Sequence, residues 1–342
     1  MSLVFMDGFD SYNTSGGLIA LQVANYWGNA VFSGQGMSMA GGKDNRGYSV
    51  QMFSNNSLTT PNIDAISGNN ADTIVGFNFY VTSLSDYSAN DNTTLGLLRA
   101  LGTVNSAEVV IKQGYIETGI DTQIAIANNT WHHLEVKTFS ISSTQPRFRF
   151  EVYLNGSLIY TTTSDSPSGF FKTADHHNLR ATASNAIGNP SPVYIDNFYL
   201  LDTVGTPNDL LGPSATVETL FPSGSIGNNW TSVIGAPTPH EAVDNVPFDQ
   251  YQLILSDTPG QVQEFLFDNL EEIVTPLSVE VNSVVNGNQD VFQHTRNGSV
   301  EESFGTISGN RIYSNIIKSI NGIDDATLTV NDVNNIQAGV GS

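Results

Sequence analysis

The chain contains no cysteine. That excludes a disulfide framework, a thiolate metal site and a cysteine nucleophile, and leaves packing as the source of stability. Basic residues are scarce: 12 Lys plus Arg stand against 33 Asp plus Glu, for a net charge of -21. A chain of that sign repels nucleic acid phosphates and anionic membrane surfaces, so neither nucleic acid nor membrane insertion is expected. No stretch approaches the ~20 apolar residues needed to span a bilayer. The start, Met1-Ser2-Leu3-Val4-Phe5-Met6, lacks the basic opening and apolar run of a secretion signal, so a soluble protein made in a cytoplasm is expected. No convincing long helix-period segment is present either.

What remains is a β-protein. Of 342 residues, 39% are hydrophobic and only 13% charged, so neutral Asn, Ser, Thr and Gly fill most solvent-facing positions and suit turns and pleated faces. Short apolar or alternating runs predict strands over 48–53, 73–81, 95–101, 108–112, 133–140, 148–154 and 193–201. Phe148, Phe150, Val152 and Leu154 share one face, and Arg147, Arg149, Glu151 and Tyr153 the other, as in a strand packed on one side. Asn155-Gly156 then signals a two-residue hairpin into 157–161. The length suits two cores. Gly205, Pro207, Gly212 and Pro213 place a linker over 205–213, between an N-terminal sandwich at 1–204 and a smaller β-rich domain at 214–342. In that domain, strands are expected over 251–255, 264–267 and 277–285, with a hairpin over 301–314 around Ser308-Gly309-Asn310. Residues 324–336 are open between a helix and a strand followed by a turn, because Thr327, Thr329 and Val330 are poor helix formers.

Two passages carry a family resemblance. Asn129-Thr130-Trp131-His132-His133-Leu134-Glu135-Val136, followed by the strand 148–154 and Asn155-Gly156, resembles the central strands of concanavalin A-like and laminin G-like jelly rolls. Val193-Tyr194-Ile195-Asp196-Asn197-Phe198-Tyr199-Leu200-Leu201-Asp202, running through Asn208 to Pro213 and on to Val217-Glu218-Thr219-Leu220-Phe221-Pro222, resembles the closing strand and exit segment of a group of tailed-bacteriophage virion structural proteins. Asp7-Gly8-Phe9-Asp10-Ser11-Tyr12, Trp230, Val243-Asp244 and the stretches 328–331 and 337–340 are similar to the same group. The resemblance implies an all-β fold with an N-terminal jelly roll. Asn197 stands where the group suggests a second Asp, which removes an acidic pair as a metal site.

Candidate chemistry is sparse. Retaining glucanases of the jelly-roll class need two carboxylates about 5–5.5 Å apart, carried there by a Glu-x-Asp-x-x-Glu strand. Here only Glu117 and Asp121 come near that pattern, with Gly119 between them, so no catalytic pair is expected. His132-His133 and His176-His177 suggest metal, but neighbours on a strand point to opposite faces, so one of each pair is expected to pack inward. Asp86, Asp91 and Asn92 could cradle Ca2+ in a loop, as the resemblance to laminin G-like modules implies, but they lack the spacing of a defined calcium loop. Gly34 to Gly47 holds no phosphate-loop spacing, and Gly41-Gly42 reads as a turn. No catalytic residue, metal or cofactor is therefore expected.

Aromatics remain. Tyr12, Tyr26, Trp27, Tyr48, Tyr87 and Tyr115 lie near turns, where rings beside neutral polar groups suit sugars. Trp27 and Trp131 are expected in the core, and Phe221, Trp230, Phe248, Phe265, Phe267, Phe292 and Phe304 include residues expected at an interface. The expectation is a non-enzymatic component of a phage particle, capsid- or tail-associated and assembled in a bacterial cytoplasm. Its expected partners are other virion subunits, further copies of itself and host-surface carbohydrate. The alternative is a polysaccharide-degrading enzyme of the jelly-roll glucanase class.

Overall fold

The computed structural model describes residues 3–10, 12, 27, 29–31, 38–45, 47–52, 56–60, 72–82, 93–97, 109–112, 114–118, 122–140, 148–161, 178–183, 193–202, 209–227, 229–230, 232–244, 252–256, 258–270, 275–285, 291–298, 300–307, 311–317 and 328–341. The fold is all-β. The chain divides into two compact units, one spanning residues 2–10 and 14–218, the other residues 219–342 together with 1 and 11–13.

The first unit contains β1 (Leu3–Asp7), β2 (Asn29–Val31), β3 (Ser38–Gly41), β4 (Tyr48–Met52), β5 (Ser57–Thr59), β6 (Thr73–Val81), β7 (Thr93–Leu97), β8 (Val109–Lys112), β9 (Tyr115–Thr118) and β10 (Thr122–Ala125). These are followed by β11 (Trp131–Ser140), β12 (Phe148–Leu154), β13 (Ser157–Thr161), β14 (Asn178–Ala183) and β15 (Val193–Leu201). They build two antiparallel sheets of a jelly-roll sandwich. The first runs β13-β12-β11-β6-β15-β4-β3, with β1 also paired to β15, and the second runs β10-β9-β8-β7-β14-β5-β2.

Alternation decides which residues face inward. In the first sheet His132, Phe79, Ile195 and Val50 form one register row across β11, β6, β15 and β4. All four are buried. Leu134 and Phe77, then Val136 and Val75, follow on the same face. The second sheet turns Leu58, Val109, Ile111, Ile116 and Leu179 to its buried side. An aromatic cluster closes one end of this core: Trp27 lies 4.9 Å from Phe5 and 4.8 Å from Phe198, and Phe77 stacks on Phe198 at 6.3 Å.

The Asp7-Gly8-Phe9-Asp10 motif serves that end. Asp7 accepts from Trp27 Nε1 through Oδ2 and from the Phe9 amide through Oδ1, each at 2.7 Å. The second bond steadies Phe9 at a positive φ of 62°, unusual for a bulky residue. Trp27 is core, and Tyr12, which belongs to the second unit, is buried at 2% exposure rather than open to a sugar. The Asn155-Gly156 turn forms as expected, with φ of 50° and 80°, the signs a type I′ hairpin requires.

Trp131 differs from expectation. With His132, Leu134 and Val136 inward, parity places Trp131 outward, and it is only half-buried. The large ring invites a core reading, but position along the strand decides the face.

The second unit is built from β16 (Pro222–Ile226), β17 (Ser232–Ile234), β18 (Leu253–Leu255), β19 (Val262–Phe267), β20 (Val279–Val285), β21 (Val291–Asn297), β22 (Val300–Ile307), β23 (Arg311–Ile317), a short helix α1 (Val330–Asn334) and β24 (Gln337–Gly341). One five-stranded sheet runs β16-β19-β24-β21-β22, and β17-β18 and β20-β23 form separate ladders. Residues 301–314 are therefore not one hairpin: β22 pairs with β21, and β23 with β20. Turn residues mark where a strand ends, while packing chooses its partner. Residues 330–341 resolve into a helix of one turn and then a strand. Thr329 and Asp332 form a capping box, with Asp332 N donating to Thr329 Oγ1 at 3.1 Å and Thr329 N donating to Asp332 Oδ2 at 2.9 Å. The core here is small: Trp230 and Val291 with Ile254 and Val340 around them, and Phe265, Ala338, Val333 and Ile336 also buried.

Trp27, at 1% exposure, anchors the sandwich. Trp27→Ala should cost about 3–5 kcal/mol, read as a lower denaturant midpoint. Trp131→Ala should cost clearly less, since its ring is already part-solvated.

Candidate functional site

The outward face of the eight-stranded sheet carries more polar chemistry than a solvated face requires. Three register rows cross its centre. The first is Trp131, Tyr80, Tyr194 and Gln51, on β11, β6, β15 and β4 in turn. The second is His133, Asn78 and Asp196, and the third Glu135, Gly76 and Tyr199, each on β11, β6 and β15.

The third row depends on Gly76. A Cβ there would lie 2.0 Å from the Tyr199 ring, so the bare central strand lets Tyr199 cross it. Its hydroxyl donates to Glu135 Oε1 at 2.7 Å. The same hydroxyl lies 3.2 Å from His133 Nε2, and His133 Nδ1 lies 3.2 Å from Asn78 Oδ1. Glu135 is fully buried and takes further donors from the exit segment: Leu211 N at 2.7 Å and Gly212 N at 3.2 Å, both to Oε1. Its other oxygen lies 3.7 Å from His133 Nε2, beyond hydrogen-bond reach. Burial would raise the Glu135 pKa, but His133, Tyr199 and the Gly212 amide together hold it below the ordinary carboxylate value. Burial, and then the Glu135 charge, push the Tyr199 pKa up.

Residues 209–217 are thus a strap docked on the sheet. Lys43 Nζ donates to the Pro213 carbonyl at 3.0 Å, and Val217 N donates to Asn197 Oδ1 at 2.7 Å. The bond from Lys137 to Asp209, 3.0 Å long, involves a carboxylate 74% exposed, so it adds little. Glu135 supplies the main hold. Asn197 explains its own identity: it sits at a register irregularity between Asp196 and Tyr199 with φ of 52°, a backbone state Asn tolerates, and its amide oxygen receives the strap.

Asp196 accepts from Lys43 N through Oδ2 and from Asn197 N through Oδ1, each at 2.7 Å. Asp10 accepts from Tyr48 N at 2.6 Å. Burial drives the Asp196 pKa up to about 7, against the two amides that lower it and with some help from Asp10 and Asp7. Among the described residues no group of three or more His, Asp or Glu side chains is placed to hold a metal ion.

The remaining sequence candidates separate. His132 packs inward against Phe79, at 5.4 Å, with Nε2 2.8 Å from the Ala127 carbonyl and Nδ1 3.2 Å from Asn155 Nδ2. An acceptor at one nitrogen and an amide donor at the other match a single tautomer, protonated at Nε2. His133 faces outward into the Glu135 network, so the pair shares no ligand. Glu117 lies on the outward side of β9, bonded to Lys112 at 2.7 Å and to Gln123 at 3.1 Å, with Lys112 Nζ 5.5 Å from the centre of the Tyr115 ring. Tyr48 and Tyr115 are part-exposed. Gly41 ends β3, and Gly42 N donates to the Gly47 carbonyl at 3.1 Å, closing the turn into β4. Tyr26, Tyr87, Asp86, Asp91, Asn92, Asp121, His176 and His177 lie outside the described residues.

The second unit holds one further polar cluster. Glu264 Oε1 meets His294 Nε2 at 3.0 Å and Arg296 Nε at 2.9 Å, the latter misaligned for a hydrogen bond, while Arg296 Nη2 reaches Glu301 at 2.9 Å. Glu264 and His294 both pair with Gly339 on β24 and meet across it. Sequence reasoning missed both cross-strand networks. The signal was a glycine within an otherwise continuous strand pattern.

Glu135→Ala should destabilise the first unit by about 3–5 kcal/mol, because Tyr199, Leu211 and Gly212 lose a buried acceptor. Limited proteolysis should then cut within 209–217, a segment the unsubstituted protein protects. The two acids also set opposite pH limbs. A raised Asp196 favours the proton-bound folded state, so its contribution is complete below the ordinary 3.8 and is lost as pH rises to about 7. A depressed Glu135 contributes above the ordinary carboxylate range, and that contribution is lost on acidification through its lowered value. Melting temperature against pH should show both limbs, with Asp196→Asn removing the one between about 4 and 7 and Glu135→Gln removing the acid one.

No protein family matches this sequence, and no curated protein does either. Among solved structures, an alginate lyase from Aplysia kurodai is similar at 14% identity and a TM-score of 0.40, over 59% of this chain and all of its own. An endo-β-1,4-glucuronan lyase from Trichoderma reesei is similar at 12% identity and a TM-score of 0.38, over 58% of this chain and 95% of its own. A carbohydrate esterase from the Shiga toxin-encoding bacteriophage phi24B is similar at 15% identity and a TM-score of 0.33, over 54% of this chain and 97% of its own.

Proposed function

We propose that this chain is a non-catalytic structural component of a tailed-phage particle whose jelly roll contacts carbohydrate on the host surface. The observation that carries the non-catalytic reading is the closure of the His133–Tyr199–Glu135 network by the chain's own strap. His and Tyr are residue types that move protons in catalysis, and here they stand 3.2 Å apart. Yet His133 and Tyr199 are each 2% exposed, and Glu135 is fully buried. One carboxylate oxygen, Oε1, is occupied by the backbone of Leu211 and Gly212, the other is buried, and a base must reach the proton it removes. The network holds a segment in place.

The particle role rests on the resemblance of the 193–222 passage to virion proteins. The second unit supports an assembly role by its surface: Ile234, Val243, Leu255, Leu266 and Leu277 are all large, apolar and exposed, although Trp230 and Phe265 are buried. Subunit contacts bury side chains of this kind. Further copies of this chain, or other virion subunits, are the partners these residues fit.

The rival is a polysaccharide-degrading enzyme, favoured by the same His–Tyr pair. Incubation with host polysaccharide, alginate and glucuronan, followed by reducing-end assay and absorbance of unsaturated uronate, should show no product above buffer. Product that disappears in His133→Ala, with folding intact, would make the network an active site and the strap its cover.

A further inference from the structure

Among the described residues, the strap bonds to Glu135 in the third row and to Asn197 beside the second. The first row lies at the other end, where Trp131, Tyr80, Tyr194 and Gln51 are all part-exposed. Ring centroids are 5.5 Å apart from Trp131 to Tyr80 and 5.6 Å from Tyr80 to Tyr194. Gln51 Nε2 donates to the Tyr194 hydroxyl at 3.0 Å, which still has its own proton to donate. Folding does not ask for this. The inward row beneath, with His132, Phe79, Ile195 and Val50, already supplies the core, and an outward face needs only polar residues. Three aromatic side chains on adjacent strands, in register and left part-solvated, form a patch that suits a ligand.

We propose that this row is a platform for a neutral glycan chain lying across the strands. The proposal rests on the carbohydrate reading and names its site and ligand class. Aromatic faces take the apolar side of a sugar ring, while the Tyr194 hydroxyl and the Gln51 amide match sugar hydroxyls. One aromatic side chain per strand repeats at about the strand spacing of 4.8 Å; Tyr80 is tilted 52° to Trp131 and stands edge-on, at 84°, to Tyr194, so one ring can lie flat beneath a sugar while its neighbours border that sugar edge-on. Charge selects the class: the row contains no ionisable group near neutrality, the nearest acid on the same face is the buried, amide-bound Asp196, and the chain's net charge of -21 repels polyanions.

The test uses the full chain in affinity electrophoresis through gels containing dextran, galactomannan or hydroxyethylcellulose, with alginate as the acidic comparator. At least one neutral polymer should retard it, and alginate should not. Trp131→Ala and Tyr80→Ala should each weaken retention about tenfold or more. Gln51→Ala and Tyr194→Phe, which spare the aromatic stacking, should weaken it less. Tyr115→Ala, on the other sheet, should leave it unchanged. Trp27 and Trp230 are buried at 1% and 8%, so a polymer-induced change in tryptophan emission should vanish in Trp131→Phe. Neutral-polymer binding that survives Trp131→Ala and Tyr80→Ala at unchanged melting temperature overturns the platform while the carbohydrate reading stands. Retention by no polymer overturns both. Preference for alginate overturns the neutral class. A homodimer in light scattering that Tyr80→Ala dissociates would make the row a self-interface and overturn the proposal.

Discussion

The first unit is organised around one buried carboxylate. Glu135 lies in the centre of a sheet, fully removed from water, and a charge in that position is tolerable only with donors around it. Its neighbours follow from that demand. Gly76 is bare so that Tyr199 can cross β6, and the exit segment lies where its amides can reach Oε1. Without the carboxylate, Leu211 and Gly212 would have no partner on this face and the strap no reason to settle there. Asn197 fixes the other end of the strap, so its path is set by two side-chain acceptors on β11 and β15, the strands that flank β6, with exposed ion pairs adding little.

The same physical device recurs in the second unit. Glu264 and His294 meet across Gly339 as Glu135 and Tyr199 meet across Gly76. In both sheets polar residues on the strands flanking a central glycine meet although their backbones are two strand spacings apart, roughly 9.6 Å; a Cβ would meet the Tyr199 ring at Gly76 and the Gln263 backbone at Gly339. A β-protein with no disulfide and few charges can thereby place rigid polar cross-links within a sheet. Burial makes each link strong when complete and costly when broken.

Much of the sandwich was legible in the sequence because alternation and turn chemistry are local. The strands 73–81, 148–154, 157–161 and 193–201 form with the bounds that the pattern predicts, and Asn155-Gly156 forms the expected hairpin turn. What stayed hidden is long-range. Nothing in 301–314 says that its two strands join different ladders. Nothing near Glu135 says that its partners lie more than 60 residues away at Tyr199, Leu211 and Gly212. Trp131 was misplaced for a subtler reason. A strand begun at His133 leaves it outside the alternation, whereas the strand begins at Trp131 itself, and a two-residue extension turns a supposed core ring into a surface one. The candidate site was therefore visible as residue types and invisible as an arrangement.

That arrangement separates three tasks on one sheet. The inward face is apolar and drives folding. The strapped region of the outward face is polar but buried, with Glu135 Oε1, Asn197 Oδ1 and both Asp196 oxygens accepting from the chain's own backbone. Among the described residues of the three rows, those at the aromatic end are the part-exposed ones. Among the described residues of these rows, His133, Tyr199 and Glu135, the residue types suited to moving protons, are the buried ones. Recognition needs rigid, part-solvated rings with neutral hydrogen-bonding edges, and Trp131, Tyr80, Tyr194 and Gln51 meet that requirement on four paired strands, where the ladder fixes their spacing. Burial of the polar network and part-exposure of the aromatic row are two consequences of the same fold.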